Sequence, residues 1–352
     1  MYKKIFNNQS ILITGGTGSF GQQFTKEILS NHRPKKIIIF SRDEFKQYEM
    51  QNSQFFKRFY SVKKNQNILR FFIGDVRDKD RLIFALKHEI DYVVHAAALK
   101  QVTTCEYNPF EAIKTNIIGA QNLVDACLDS NVKKIIALST DKASSPINLY
   151  GATKLTSDKI FIAANYYKGK KRKIRFSVVR YGNVMGSRGS VIPLFLSLKN
   201  NLNFPITDKN MTRFNITLPE SIKFVISCFS KMWGGELFVP KLPSYKIMDL
   251  LKAISPIAKP RIIGIRPGEK LHEEMIPSAD SINTVDFKDY YVIMPSSKLI
   301  PWDQVKFINK SSNYKGKRCK EGFCYNSKNN TVYLSVDEIR KLISINKNTF
   351  LE

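Results

Sequence analysis

Long apolar runs are missing from this chain of 352 residues: none approaches the roughly 20 residues that a membrane-spanning helix requires. Residues 1–10 lack the apolar centre of a signal peptide. A cytoplasmic protein with no membrane segment is therefore expected. Cysteine is scarce, and Cys105, Cys127, Cys228, Cys319 and Cys324 are scattered and odd in number, which outlines no disulfide framework. Only Cys319 and Cys324 are close, with no histidine near them, so no metal site is expected. Acidic residues are few, 30 against 56 Lys and Arg, giving a net charge of +26. Such an excess suits nucleic acid, an anionic membrane or an anionic small substrate. It is dispersed, as in Lys35-Lys36, Lys63-Lys64, Lys133-Lys134, 168–173 and 315–318, and this favours solvated faces over a nucleic-acid groove. Core-forming material is plentiful: 43% hydrophobic and 12% aromatic residues exclude a disordered chain.

The first half alternates short apolar runs with amphipathic stretches. Ser10–Thr14, 36–40, Leu69–Ile73, Tyr92–His95, 134–138 and 175–180 read as strands, and 20–29, 45–60, 79–87, 109–130 and 150–167 as helices. This alternation predicts an α/β fold, a Rossmann-type doubly wound parallel sheet with a smaller mixed α/β lobe. The expected division is a nucleotide-binding domain over 1–182, which may take back later segments, a substrate lobe over 183–280 rich in Gly and Pro, and a C-terminal extension over 281–352 that closes the lobe or assists assembly. Within the extension, 290–294 reads as a strand and 335–345 as a helix with Ser335 as N-cap and Glu338 three residues on.

Gly15, Gly16, Thr17, Gly18, Ser19, Phe20 and Gly21 follow the first strand and enter the first helix, the context in which a glycine turn receives a dinucleotide pyrophosphate. The second strand ends in Ser41-Arg42-Asp43. Ser41 and Arg42 can hold a 2′-phosphate, so the expected cofactor is NADP rather than NAD, with Asp43 as the residue that argues the other way. Asp75 and Val76 stand where an adenine ring would lie, and Asp75 reads almost equally well as a strand-end cap.

The fifth strand runs into Ser139-Thr140-Asp141-Lys142, and the next helix carries Tyr150 and Lys154 at i and i+4, on one face. An adjacent ammonium together with a cationic nicotinamide would favour the phenolate, making Tyr150 a base towards a sugar or alcohol hydroxyl.

These residues resemble the extended short-chain dehydrogenase/reductase superfamily and, within it, the configuration-inverting UDP-N-acetylglucosamine 4,6-dehydratases. The resemblance rests on 14–21, 41–50, 72–77, 95–101, 139–154, 179–190, 211–218 and 264–275, with the string STDKASSPINLYGATK at 139–154 the most specific because retaining relatives usually carry Asp-Glu where this chain has Asp141-Lys142. It implies that Tyr150 deprotonates the sugar O4, that C4 is transiently oxidised by NADP+, that Lys142 takes the C5 proton, that Asp141 helps the C6 hydroxyl leave as water, and that Thr140 orients the 4-hydroxyl. A lysine base needs its neutral form, so burial or nearby cations are expected to lower the Lys142 pKa. The resemblance also carries Lys46, Ala96, Thr115, Asn116, Lys154 and Val184 to the cofactor, and Lys100, Asn183, Arg188, Arg213, Arg266 and Glu269 to the UDP-sugar. It implies the opening step of pseudaminic acid biosynthesis and a homo-oligomer, dimeric or hexameric. Asn215 departs from the family in standing where an aromatic residue is common. The competing readings are a UDP-sugar epimerase, a basic nucleic-acid binder on a degenerate Rossmann domain, and an NADP sensor without turnover.

Overall fold

In the computed structural model, residues 4–60, 67–169, 172–187, 190–199, 203–295 and 302–346 are described. Six parallel strands, β1 (Ser10–Thr14), β2 (Lys36–Ser41), β3 (Leu69–Ile73), β4 (Tyr92–His95), β5 (Lys134–Thr140) and β6 (Arg175–Tyr181), lie in the order β3-β2-β1-β4-β5-β6. The apolar centres of β1, β2 and β5 are buried because helices cover both faces, whereas the edge strand β3 is only partly buried. The order reverses between β1 and β4, which opens a crevice at the carboxyl ends of the strands. Beyond β6 the sheet continues with Leu237–Pro240, parallel, and then Tyr290–Ile293, Thr284–Asp286 and Lys317–Arg318, antiparallel, to ten strands.

The connecting helices are α1 (Ser19–Asn31), α2 (Glu44–Asn52), α3 (Lys79–Leu86), α4 (Val102–Tyr107), α5 (Pro109–Ile113), α6 (Gly119–Leu128) and α7 (Leu149–Tyr167). Helices α3, α6 and α7 pack side by side, whereas α1 packs beside Leu218–Lys231. Two expected helices differ from the sequence reading. The stretch 45–60 stops at Asn52, where the Ser53 hydroxyl donates to the Met50 carbonyl, and resumes as a 3-10 turn, Phe56–Phe59. The stretch 109–130 is broken by a π turn, Lys114–Ile118, just before Gly119, where a Cβ would lie 2.7 Å from Val76 Cγ2.

A second core forms outside the sheet from Met185, Phe195, Phe204, Ile206, Leu250 and Leu251, joined by Ile339 and Ile343 of the helix Val336–Ile345. That helix opens with the reciprocal capping box expected from Ser335 and Glu338. Strand Tyr325–Asn326 pairs with Glu274–Ile276, so the chain returns from its C-terminal third to the mouth of the crevice. No described helix is long and apolar enough to cross a membrane.

Candidate active site

At the end of β1, Gly15 takes a φ of +66°, and a Cβ there would lie 2.8 Å from the Ala97 nitrogen. A Cβ on Gly21 would stand 2.5 Å from Gly16 Cα, so α1 can approach the turn only without side chains. Helix α1 begins after Gly18 with no side-chain cap and no acidic residue in its first turn. Its first N–H groups, at exposed Ser19 and half-buried Phe20, are therefore open to an anion, and the turn fits a dinucleotide diphosphate. Thr17 and Ser41 meet hydroxyl to hydroxyl at 2.7 Å, tying this turn to β2.

The rest of the expected cofactor wall is unevenly disposed. Asp43 is the N-cap of α2, accepting from the Lys46 amide at 3.0 Å and pairing with Lys46 Nζ at 3.0 Å. The Lys46 amide, followed by its side chain, holds the Asp43 carboxyl below its ordinary pKa. Arg42 is 55% exposed and lies 3.8 Å from Asp75. Asp75 accepts from the Arg77 amide at 3.0 Å and the Arg77 guanidinium at 2.7 Å; burial would raise its pKa, and the Arg77 contacts hold it low instead. Val76 is buried against Gly119. Ala96 sits on the Gly15 turn, its amide donating to the Thr14 carbonyl. Asn116 clamps the loop after β4 to α7, accepting from the Leu99 amide at 2.8 Å and donating to Thr153 at 3.0 Å. Neighbouring Thr115 is buried, its hydroxyl without a partner among the described residues.

The reactive cluster forms where β5 gives way to a 3-10 turn, Asp141–Ala143, that packs on the N-terminus of α7. Thr140 caps this turn, and its hydroxyl donates to Asp141 Oδ1 at 2.9 Å and contacts the Tyr150 phenol. Lys142 Nζ reaches Asp141 Oδ1 at 3.1 Å, Asn183 Oδ1 at 3.2 Å and Glu273 Oε1 at 3.3 Å. The close seat of the turn depends on Gly151, where a Cβ would lie 2.1 Å from the Lys142 carbonyl oxygen.

One electrostatic expectation, at Lys142, is corrected, and at Tyr150 burial opposes the phenolate. Burial alone would lower the Lys142 pKa, but the Asp141 and Glu273 carboxylates prevail and raise it, so the lysine rests as an ammonium. Tyr150 is pushed up to about 12 by burial, against the opposing pull of Lys142 and the Thr140 hydroxyl, so it rests as a phenol. Asp141, fully buried, is raised by burial and by Glu273, whereas Glu273 is held low by Lys142 and Arg213 against its own burial. Lys154 is buried and its pKa lowered by that burial, with Asp158 opposing.

Of the residues expected at the substrate, Asn183 and Arg213 join the cluster. Arg213 is buried, donates to the Thr212 and Leu271 carbonyls at 2.8 and 3.1 Å, and pairs with Glu269 at 3.3 Å and Glu273 at 3.5 Å. Arg266 is exposed in the turn that the Glu269 amide closes by donating to the Arg266 carbonyl. This turn is docked on α7 by the N-cap Asn148, whose amide donates to the Gly268 carbonyl at 2.8 Å. Lys100 is exposed beside the loop after β4, Val184 bridges to Ile216, and Arg188 lies outside the described residues. Asn215 is buried, its amide donating to the Pro243 carbonyl. Glu273 escaped the sequence reading; its one signal is its place four residues after Glu269, in the string 264–275.

Comparison with known proteins places these features. The family described as polysaccharide biosynthesis protein matches residues 11–295. A Campylobacter jejuni protein named UDP-N-acetylglucosamine 4,6-dehydratase (inverting) is 54% identical over 97% of this chain and 98% of its own. A Rickettsia bellii protein named UDP-glucose 4-epimerase is 43% identical over 82% and 84%. Among solved structures, Pen from Bacillus thuringiensis superposes with a TM-score of 0.83 at 37% identity, covering 97% of this chain and 99% of that one.

Proposed function

The chain belongs to the polysaccharide biosynthesis protein family, within the extended short-chain dehydrogenase/reductase superfamily, and from that premise we propose that it is a hydro-lyase that dehydrates UDP-N-acetylglucosamine across C5 and C6 with inversion at C5. The observation that carries the reading is the cluster itself: a lysine and a carboxyl 3.1 Å apart, beside a half-buried tyrosine. A 4-epimerase needs neither a base at C5 nor an acid at O6. The product is UDP-2-acetamido-2,6-dideoxy-β-L-arabino-hexos-4-ulose, the first intermediate of pseudaminic acid biosynthesis.

The cofactor is NADP, received by the Gly15–Gly21 turn with Arg42 and Lys46 at the 2′-phosphate; in support, Asp43 is committed to capping α2 and not to a ribose. Bound there, it supplies the nicotinamide that takes a hydride from the sugar C4 and later returns it to C6. Lys154, four residues after Tyr150 on α7, would hold the nicotinamide ribose. Tyr150, in the phenolate form that the Lys154 ammonium and a cationic nicotinamide would favour, accepts the proton of the O4 hydroxyl, with Thr140 orienting that hydroxyl. The 4-keto group so formed acidifies the C5 hydrogen. Lys142, as the amine, removes that hydrogen, and Asp141, as the acid, protonates O6 as the C6–O6 bond breaks. Reprotonation of C5 from the opposite face inverts the centre. Arg213, Arg266 and Lys100 are assigned to the UDP-sugar, whose two charged phosphates suit guanidinium and ammonium groups, and Arg188, outside the described residues, is assigned to it by the resemblance alone.

The test is proton NMR of UDP-N-acetylglucosamine incubated in D2O with enzyme freed of nucleotide and reloaded with NADP+ or NAD+. A 6-methyl signal of a 4-keto sugar with deuterium at C5, stronger with NADP+, is expected. Lys142→Ala is expected to bind cofactor and UDP-sugar and to lose C5 exchange. Interconversion at C4 with the C6 oxygen retained would move the protein to the epimerases.

A further inference from the structure

Glu273 sits at the centre of the cluster, yet no step of the elimination described above uses it. One of its oxygens, Oε1, meets two cations, Lys142 Nζ at 3.3 Å and Arg213 Nε at 3.5 Å. The residue is 3% exposed, and its other oxygen is buried without a partner among the described residues, as is Asp141 Oδ2. Its backbone is fixed on both sides. The Glu273 amide donates to Ser327 Oγ at 2.9 Å, and the Ser327 amide donates to the Glu273 carbonyl at 2.8 Å. Ser327 is itself fully buried and bonded to Thr212 at 2.7 Å, while Arg180 donates to the Met275 carbonyl at 3.0 Å. A buried carboxylate held this firmly between two cations has a defined charge and place.

Resting on the dehydratase reading, we propose that Glu273 is a positioning residue of the elimination: it holds Lys142 and Arg213 at one oxygen and balances Arg213, leaving Asp141 and Lys142 to share a single proton. Glu269 also pairs with Arg213 and Lys270 stands behind Glu273, so three carboxylates, Asp141, Glu269 and Glu273, face three cations, Lys142, Arg213 and Lys270, and the group is neutral. Arg213 stays charged throughout. Moving one proton from Lys142 Nζ to Asp141 across their 3.1 Å contact turns the ammonium into an amine and the carboxylate into an acid, the two forms the elimination needs, with no change in net charge. The amine then takes the C5 proton, the C5–H electron pair becomes the C5–C6 double bond, and the C6–O6 pair leaves on oxygen with the Asp141 proton, as water. Lys142 is again an ammonium and Asp141 again a carboxylate. The groups facing Lys142 are Asp141 on its own turn, Tyr150 on α7, Arg213 and Tyr245 on the lobe's strand pair, and Glu273 with Lys270 behind it.

The experiment measures C5 deuterium exchange against pH for the parent enzyme, Glu273→Gln, Glu273→Asp and Ser327→Ala, with cofactor binding as the check of folding. Glu273→Gln keeps shape and removes charge. Its maximal rate is expected to fall by about tenfold or more, and its acid limb to move down by about one pH unit or more, because Lys142 loses one of the two anions that hold its proton. Glu273→Asp and Ser327→Ala, which keep the carboxylate, are expected to slow exchange while leaving the limb in place. A Gln variant with the parent's acid limb, or an Asp variant with a shifted one, would overturn the proposal; the Asp limb decides the matter where the Gln variant exchanges too slowly to profile. No exchange in the parent enzyme would overturn the dehydratase reading itself.

Discussion

Asp141 has one carboxylate oxygen held by Thr140 and Lys142 and the other buried without a partner among the described residues. Burial first, and Glu273 next, raise its pKa. A carboxyl whose folded pKa exceeds its unfolded value binds protons more readily in the folded state, so its ionisation costs the fold stability as pH rises from the unfolded pKa through the folded one, and that cost is absent below the unfolded pKa. Asp141→Asn is therefore expected to melt at a higher temperature than the parent at pH 7, with the gap closing towards about pH 4, while C5 elimination is lost. Calorimetry at both pH values checks this; an Asn variant that melts lower at pH 7 would mean that the Lys142 attraction outweighs burial. The residues of the site differ in how visible they were. Tyr150 and Lys154 could be singled out because a four-residue spacing on a helix is local, and Asp141-Lys142 only through the family resemblance of the string 139–154. Glu273 is 131 residues from Lys142 along the chain, and no local period encodes a contact made by folding a second lobe over the first. The Lys142 charge state was misjudged for a related reason: Glu273, which joins Asp141 in prevailing over burial there, was not in view.

The turn Asp141–Ala143 and α7 act as one unit because Gly151 lets them touch. With a Cβ 2.1 Å from the Lys142 carbonyl oxygen, Gly151→Ala must move the turn or the helix. The expected cost is about 1–3 kcal/mol in stability, as for other overpacked sites. The expected fall in dehydration is about 100-fold, since displacing catalytic groups by about 1 Å is enough for that. Thermal unfolding and turnover, measured together, check it, and an Ala variant with parental turnover would show that the turn tolerates the shift. The strands were legible as short apolar runs, Ile-rich and fully buried in β1 and β2, although the edge strand β3 is Phe-rich and only partly buried. The break in 109–130 was not, because a π turn leaves the apolar pattern continuous and changes only which carbonyl each amide meets. Helix α4 has six residues, too few to display a period.

At the scale of the whole molecule, the alternation of strand and helix predicted the sheet from β1 to β6, and the capping box at Ser335 predicted the last described helix. The sequence allowed for later segments rejoining the first domain without saying which; Leu237–Pro240 and Tyr290–Ile293 join its sheet, and pairing partners over such distances leave no mark on composition. That return has a consequence for how the chain is made. As it emerges from the ribosome, β6 is complete by residue 181, but its outer edge has no partner until residue 237 follows. Over that interval a parallel sheet presents open N–H and C=O groups along an apolar strand, the condition in which nascent chains pair with one another. A chain ending at residue 236 is expected to sediment as aggregate at concentrations where the full chain does not, and a monodisperse fragment would refute this. Synthesis of the second lobe therefore falls within the interval when the unfinished protein is most exposed to misassembly, and chaperone demand should peak there.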